Sequence, residues 1–322
     1  MTLRVAVQMD PLEGINIAGD STFALMLSAQ DRGHRLFHYT ADRLNYADGR
    51  VWTQAEPVTV QRVKGDHYRF EPAVALDLGT DVDVVLMRQD PPFDLGYITA
   101  THLLERIRDQ TLVVNDPVSV RNAPEKVFVL DYARFMPPTL VTRSYDEARA
   151  FLDRHGEIVV KPLHGNGGKA IFKVGSDGAN LSSLIEVFNT TWREPHMIQA
   201  FIPDVVQGDK RIVLIDGKVA GAVNRIPGAG EIRSNLAVGG VAAKTELTAT
   251  EHEICAALGP ELEARGLLFV GIDVIGGKWL TEINVTSPTG IVAIDRFNGS
   301  DTAGLIWDAI ERRVADRAAT GQ

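Results

Sequence analysis

The sequence predicts a mixed α/β and α+β chain of more than one domain, with a mainly parallel sheet first and antiparallel, hairpin-rich segments after it. Three observations predict this. The chain has 322 residues, too many for one ordinary domain. Short apolar runs alternate with helix-periodic stretches up to about residue 120. Beyond it, Asp-Gly and Gly-Gly pairs separate apolar runs, the local chemistry of tight hairpins.

Element by element, Leu3–Val7 reads as a buried strand. Asp20-Ser21-Thr22 supplies a helix N-cap, and Phe23, Leu25, Met26, Leu27 and Ala29 form an apolar face before Gly33. Asp83–Met87 and Thr111–Asn115 are two further buried strands, with Leu103, Leu104 and Ile107 at helical spacing between them. Asn45–Phe70 is a β-rich excursion on this domain. Asn122-Ala123-Pro124 breaks the pattern and marks a boundary. A helix from Glu125 to Phe135 stops at Pro137-Pro138, and a compact α+β segment follows, with strands at Glu157–Pro162 and His196–Ile202. Leu214–Val219 is a hairpin turning on Asp216-Gly217, and Leu305–Val314 is an amphipathic helix. The expected division is 1–122, 123–203 and 204–322.

Composition excludes several classes. A hydrophobic fraction of 45% with 23% charged residues is that of a globular chain rather than a disordered one. The net charge of −9 argues against broad nucleic-acid binding, which needs a basic surface, but leaves nucleotide binding open. The single cysteine, Cys255, precludes an intrachain disulfide and sits in an apolar helical run. No stretch approaches the roughly 18 apolar residues of a membrane span, and the first apolar run ends at Gln8 and Asp10, too short for a signal peptide. The expectation is a cytoplasmic protein without a membrane or nucleic-acid partner.

The most informative stretch is Phe269–Pro288. Two apolar strands joined by Gly276-Gly277 fold as a hairpin. In the simplest register Asp273 faces Leu280, so Glu282 lies diagonally on the same face, roughly 7–8 Å away, with Asn284 two positions on. Two carboxylates and an amide oxygen on one sheet face make a hard oxygen site suited to Mg²⁺ bridging phosphates. The bland alternative is a solvated hairpin face, but Ile272, Val274, Leu280 and Ile283 mark these strands as buried, where unpaired carboxylates are costly.

Phosphates also need cations and backbone donors. Lys161 ends an apolar strand before Pro162, beside Gly165-Asn166-Gly167-Gly168, whose backbone can close over an anion without Cβ interference. Such a loop alone is weak evidence, since a surface turn looks the same. Neither GxxxxGK[ST] nor GxGxxG is present. Lys126, Lys161 and Arg211 with the two carboxylates form one possible ATP constellation. Arg225–Gly240 reads as a long glycine-rich loop bearing Arg225, Arg233 and Asn235, either a lid over phosphate or carboxylate or a plain solvated loop. There is no Gly-x-Ser-x-Gly elbow, and the eight histidines lack metal-ligand spacing.

Taken in order, Met9-Asp10-Pro11, Arg88–Asp94, Glu125-Lys126, Lys161-Pro162, Gly208–Arg211, Arg225-Ile226-Pro227, Arg233–Ala237 and Thr281–Thr289 resemble the bacterial glutathione synthetase family over nearly the whole chain. The Asp-Pro-Pro-Phe-Asp and Thr-Glu-Ile-Asn-Val-Thr-Ser-Pro-Thr runs are its specific part. The resemblance implies an ATP-grasp fold with an N-terminal Rossmann-like parallel-sheet domain. By it, Lys126, Lys161 and Gly165, Asn166, Gly167 and Gly168 contact phosphates. Gln199, Ala200, Phe201 and Ile202 present backbone to adenine, and Asp209 reaches the ribose. Asp273, Glu282 and Asn284 hold Mg²⁺, or Mn²⁺, and Arg211, Arg225 and Arg233 act as catalytic cations. Arg88 binds the γ-glutamylcysteine end, Asn235 contacts substrate, and Ser287 and Thr289 lie near the glycine or product carboxylate. A homo-oligomer is the implied assembly. Gln89 and His164 depart from the family, which has a lysine and an acid at those places. Another ligase of the same fold, or a nucleotide-binding regulator without turnover, are the competing readings.

Overall fold

The fold is seen in a computed structural model that describes residues 1–165, 167–234 and 239–320. Its first sheet is built from β1 (Arg4–Gln8), β2 (Arg35–Tyr39), β3 (Leu44–Ala47), β4 (Arg50–Val60), β5 (Tyr68–Phe70), β6 (Val74–Asp77), β7 (Val84–Met87) and β8 (Leu112–Val114). The order is β3-β4-β2-β1-β7-β8, with β5 and β6 both paired to β4. β1 runs parallel to β2 and β7, and β7 parallel to β8, while the β3–β6 excursion is antiparallel. The chain leaves β1 for one side and β7 for the other. The crevice beyond the carboxyl ends of β1 and β7 is therefore a switch point, occupied by Met9-Asp10 and Arg88–Asp90.

Helix α1 (Ser21–Asp31) starts where the sequence places it. The Asp20 carboxylate accepts the Phe23 N–H at 2.6 Å, satisfying a donor the helix leaves orphaned. Helix α2 (Leu95–Glu105) has the same cap in Asp94. After α3 (Pro117–Arg121), the single helix expected over Glu125–Phe135 proves to be one α-turn, α4 (Glu125–Phe128), continued by 3₁₀ turns to Phe135. Non-helical backbone at Tyr132 kinks it before Pro137.

The second sheet has the order β11-β10-β12-β9, from β9 (Thr139–Thr142), β10 (Ile158–Pro162), β11 (Phe172–Val174) and β12 (His196–Ala200). Helices α5 (Tyr145–His155) and α6 (Leu181–Thr191) cover one face. They bury Ala148, Phe151, Leu152, Ile185 and Phe188 on Ile158, Val160 and Ile198. At about 25 cal/mol per Å², a few such side chains offset much of the ordering cost of so small a layer.

The third sheet is β15-β14-β13-β16-β17, from β13 (Asp209–Ile215), β14 (Lys218–Ile226), β15 (Val241–Ala243), β16 (Phe269–Ile275) and β17 (Trp279–Asn284). Both turns foreseen from dipeptides form. Asp216 and Gly217 sit at φ 48° and 70°, Gly276 and Gly277 at 60° and 68°, the left-handed pair a tight hairpin requires. Helix α7 (Ala249–Ala264) precedes β16, and α8 (Ile291–Asn298) and α9 (Thr302–Thr320) close the described chain. Helix α9 packs against α1, and Trp307 Nε1 donates to Leu25 O at 2.8 Å.

The first and third sheets are joined by a fully bonded buried amide. Asn115 Nδ2 donates to Phe269 O (2.7 Å) and Val285 O (2.8 Å), and its Oδ1 accepts Phe269 N–H (2.8 Å). This fixes β16 and the end of β17 against the parallel sheet.

Candidate active site

The β16–β17 hairpin carries the acidic pair, but in a tighter register than expected. A bulge after Asp273 leaves Thr281 unpaired, so Val274 opposes Leu280 while Asp273 opposes Glu282 directly rather than diagonally. Asn284 opposes Gly271 on the same face. Leu280 and Thr281 are both buried at the bulge. Thr281 Oγ1 donates to Asp273 O at 3.2 Å and secures the bulge.

Neighbouring strands surround Asp273 with cations. Arg211, its register partner on β13, forks onto it with Nε at 2.6 Å and Nη2 at 2.9 Å. Arg225 Nη2 lies 3.0 Å from the same carboxylate and 2.6 Å from Asp209 Oδ2. Burial alone would raise the Asp273 carboxyl, but Arg211 and Arg225 outweigh it and hold the group well below the usual carboxylate range. For Asp209 burial wins, and its carboxyl is pushed up to about 6 despite Arg225. Its Oδ2 also accepts the Ser234 hydroxyl at 2.9 Å, while its buried Oδ1 has no partner among the described residues. Such an orphaned oxygen beside a cavity is a ready acceptor for a ligand hydroxyl.

On the other side of the hairpin face, the Lys126 ammonium is a hub. It donates to Gly165 O (2.7 Å), lies 3.3 Å from Glu282 Oε1 and pairs with Glu125. Lys161 Nζ is 3.8 Å from the same Glu282 oxygen. Burial lowers the Lys161 pKa, with Glu282 opposing, and burial raises that of Glu125.

Two cavities meet at this cluster. The first, about 870 Å³, lies between the second and third sheets. It is lined by Lys126, Lys161, Gly165, Gly167, Gly168, Gln199, Ala200, Phe201, Ile202, Asp209, Arg233, Asp273 and Glu282, with Val159, Ile171, Val205 and Ile275 as apolar walls. Its shape and lining, an apolar slot ending in cations and carboxylates, suit a purine nucleotide with its phosphates. The second, about 980 Å³, is lined by Arg211, Arg225, Glu282, Asn284, Ser287 and Thr289, together with Asp90, Glu125 and Gly167. Glu282 and Gly167 belong to both walls.

Most residues singled out from the sequence therefore converge, and three points differ. Arg225 lies in strand β14, 5% exposed, not in the loop, because it pairs in register with Asp209. Arg88 lines neither cavity. Its guanidinium is buried, donating to Thr22 Oγ1 (3.0 Å) and Pro288 O (2.8 Å) over the Phe269 ring, so it clamps the 287–290 turn to α1. Arg233 lines the first cavity and pairs with Glu231 at 3.0 Å. Asn166 and Asn235 lie outside the described residues. Sequence reasoning missed Glu125 and Asp90 as cavity carboxylates. Their only signal was an acid beside a lysine and an acid after a buried strand.

A metal fits this donor set. Among the described residues no three His, Cys, Asp or Glu converge. What exists is two opposed carboxylates and an amide on one face, a site that must be completed by a ligand's oxygens, as a hard cation bridging phosphates requires.

Comparison with known proteins agrees with this geometry. Residues 3–121 match the prokaryotic glutathione synthetase N-terminal domain, and residues 125–299 its ATP-grasp domain. A glutathione synthetase of Rhodopseudomonas palustris is 57% identical over 98% of this chain and 100% of its own length. One from Shewanella oneidensis is 45% identical over 97% and 99%. Among solved structures, D-cycloserine synthetase DcsG superposes with a TM-score of 0.68 at 16% identity, covering 96% of this chain and 99% of that one. The ATP-grasp ligase PsnB, solved with Mg and ADP, superposes at 0.61 and 17%, covering 97% and 98%. At such identities these two speak for the fold alone.

Proposed function

The chain belongs to the prokaryotic glutathione synthetases and is an ATP-dependent ligase, and from that premise we propose how its two cavities divide the reaction. ATP occupies the first cavity, with adenine in the apolar slot by Gln199–Ile202, ribose on Asp209, and phosphates between Lys126, Lys161 and the 165–168 loop. γ-Glutamylcysteine and glycine occupy the second, where Arg211, Arg225, Ser287 and Thr289 receive carboxylates. Arg88 acts on this site by holding the 287–290 wall. The observation that carries the reading is Glu282, which stands on the wall common to both cavities beside Lys126 and Lys161, directly across the hairpin from Asp273, which holds Arg211 and Arg225. The 1–122, 123–203 and 204–322 division follows the three sheets.

In this mechanism the γ-phosphoryl group passes to the cysteinyl carboxylate, and the glycine amine then attacks that carbonyl as phosphate leaves. Such chemistry rests on positioning and charge rather than on a protein nucleophile. Asp273, Glu282 and Asn284 would hold Mg²⁺ or Mn²⁺, which would supply positive charge to offset that developing on the phosphates. Lys126 and Lys161 fix the transferring group from below. Arg211 and Arg225, paired with Asp273 in the free chain, stand ready for the acyl phosphate. The segment after Ile226, anchored by Ser234 on Asp209, excludes water that would hydrolyse the intermediate.

No helix among the described residues is long and apolar enough to cross a membrane. Reaction in the cytoplasm, where ATP is supplied, and assembly as a homo-oligomer complete the proposal. The deciding experiment is phosphate release with γ-glutamylcysteine and each amino acid in turn. Release that depends on glycine and yields one glutathione per phosphate supports it. Preference for a different acceptor transfers the reading to another ligase chemistry.

A further inference from the structure

The second half-reaction has a requirement that the cations and the metal site do not meet. Glycine arrives as an ammonium, and its nitrogen must be neutral to attack the acyl phosphate, so one proton has to leave before the C–N bond forms and a second as the amide is completed. The acceptor has to open onto the second cavity, lie close to the transferring phosphate and be free of a metal role. Three carboxylates line that cavity: Asp90, Glu125 and Glu282. Glu282 is assigned to the metal, and Asp90 follows β7, where its backbone N–H is held by Asp10 and it makes no ion pair with Lys126 or Lys161 among the described residues. Arg211 and Arg225 carry no lone pair for a proton, and the hydroxyls of Thr286, Ser287 and Thr289 are too weakly basic.

Glu125 meets all three conditions. It lines the second cavity and not the first, whereas its chain neighbour Lys126 lines the first and not the second. Its side chain is 19% exposed, open enough to be reached. It shares the Lys126 ammonium with Glu282, so one Nζ separates it from the carboxylate expected at the transferred phosphate. That ion pair also orients Glu125.

We propose that Glu125 is the catalytic residue that takes the proton from the acceptor amine in the amide-forming step. The amine nitrogen bonds to the carbonyl carbon, the carbon–oxygen bond to phosphate breaks, and phosphate leaves with that electron pair. Glu125 takes the first proton, the one that frees the ammonium nitrogen for attack, and returns it to solvent through the open cavity, while the second N–H proton leaves with the departing phosphate. Glu125 itself lines the second cavity and not the first, so its proton transfer belongs to the second half-reaction. The inference rests on the assignment of the second cavity to the acceptor.

The test separates the two half-reactions in the full chain with ATP and magnesium. Phosphoryl transfer is read without any amine, as scrambling of the bridging oxygen of β,γ-labelled ATP in the presence of γ-glutamylcysteine. Amide formation is read once with glycine and once with hydroxylamine, which is already a neutral nucleophile near pH 7 and traps acyl phosphates as hydroxamates. Glu125→Gln should leave scrambling and hydroxamate formation within a few-fold of wild type. It should slow glutathione formation by about 10²–10⁴, the ordinary contribution of a positioned proton acceptor. Glu125→Asp, retaining the carboxylate, should recover part of that loss. Equal losses with glycine, hydroxylamine and scrambling would overturn the inference and leave Glu125 as a positioning residue for Lys126. An undiminished glycine rate would also overturn it. Failure of the wild-type chain to scramble ATP with γ-glutamylcysteine would instead defeat the reading of the two cavities.

Discussion

Replacing Asp273 by Asn tests the ionic centre of the site, because the amide keeps the shape and removes the charge. The carboxylate is 2% exposed and accepts from Arg211 at 2.6 and 2.9 Å, with Arg225 at 3.0 Å. Breaking a buried pair by removing one partner costs about 3–5 kcal/mol, since the remaining charge is left uncompensated. Here Arg225 keeps Asp209 at 2.6 Å and Arg211 keeps Thr289 O at 3.3 Å. The lower end, about 3 kcal/mol, is therefore expected, or about 4 °C of melting temperature at the roughly 1.5 °C per kcal/mol that an unfolding entropy of about 2.1 cal/mol/K per residue gives a chain of 322 residues. The sign with pH follows from the carboxyl being held below its ordinary value. Its contribution is present above about pH 4 and lost as pH falls toward the folded value, so the gap between wild type and variant should close on acidification. Differential scanning fluorimetry of the ligand-free chains from pH 7 to pH 3 measures both. A shift under about 2 °C at pH 7, or a gap that does not narrow in acid, would refute the argument that the arginines depend on Asp273.

Three further outcomes follow from the same geometry. Lys161→Ala removes a cation that lines the first cavity alone and should weaken ATP binding far more than it raises the glycine requirement; unchanged calorimetric ATP affinity would return Lys161 to a structural role. Deleting residues 229–234 should uncouple the reaction, so that γ-glutamylcysteine-dependent phosphate release exceeds glutathione formed; one-to-one stoichiometry at full rate would show that this segment does not shield the intermediate. Asp209, raised to about 6 by burial, contributes stability below about pH 4 that is lost as pH rises through 6. Asp209→Asn should flatten that part of the stability profile of the free chain, and a profile unchanged between pH 4 and 7 would contradict the shift.

The sequence by itself determined the local elements, because local chemistry decides them. Asp20 caps α1, Asp216-Gly217 and Gly276-Gly277 adopt left-handed turns, and apolar runs become the strands that flank them. It also named the ion types of the site. Asp273 and Glu282 are too polar for the buried strands their neighbours announce, Lys161 ends such a strand, Lys126 and Asp209 follow from the family resemblance, and all five line the first cavity. Register and facing were left to the tertiary structure. Glu282 opposes Asp273 because a bulge at Thr281, which no dipeptide signals, shifts the register by one residue. Arg225 looked like a loop residue until β14 paired with β13 and set it against Asp209. Arg88 became a clamp because Pro288, two hundred positions away, offers its carbonyl. Glu125 and Lys126 are adjacent in the chain yet serve different cavities, since a turn of helix sends neighbouring side chains in different directions. These outcomes depend on packing between segments far apart in sequence, and that competition among distant contacts is settled only when the three sheets close on one another.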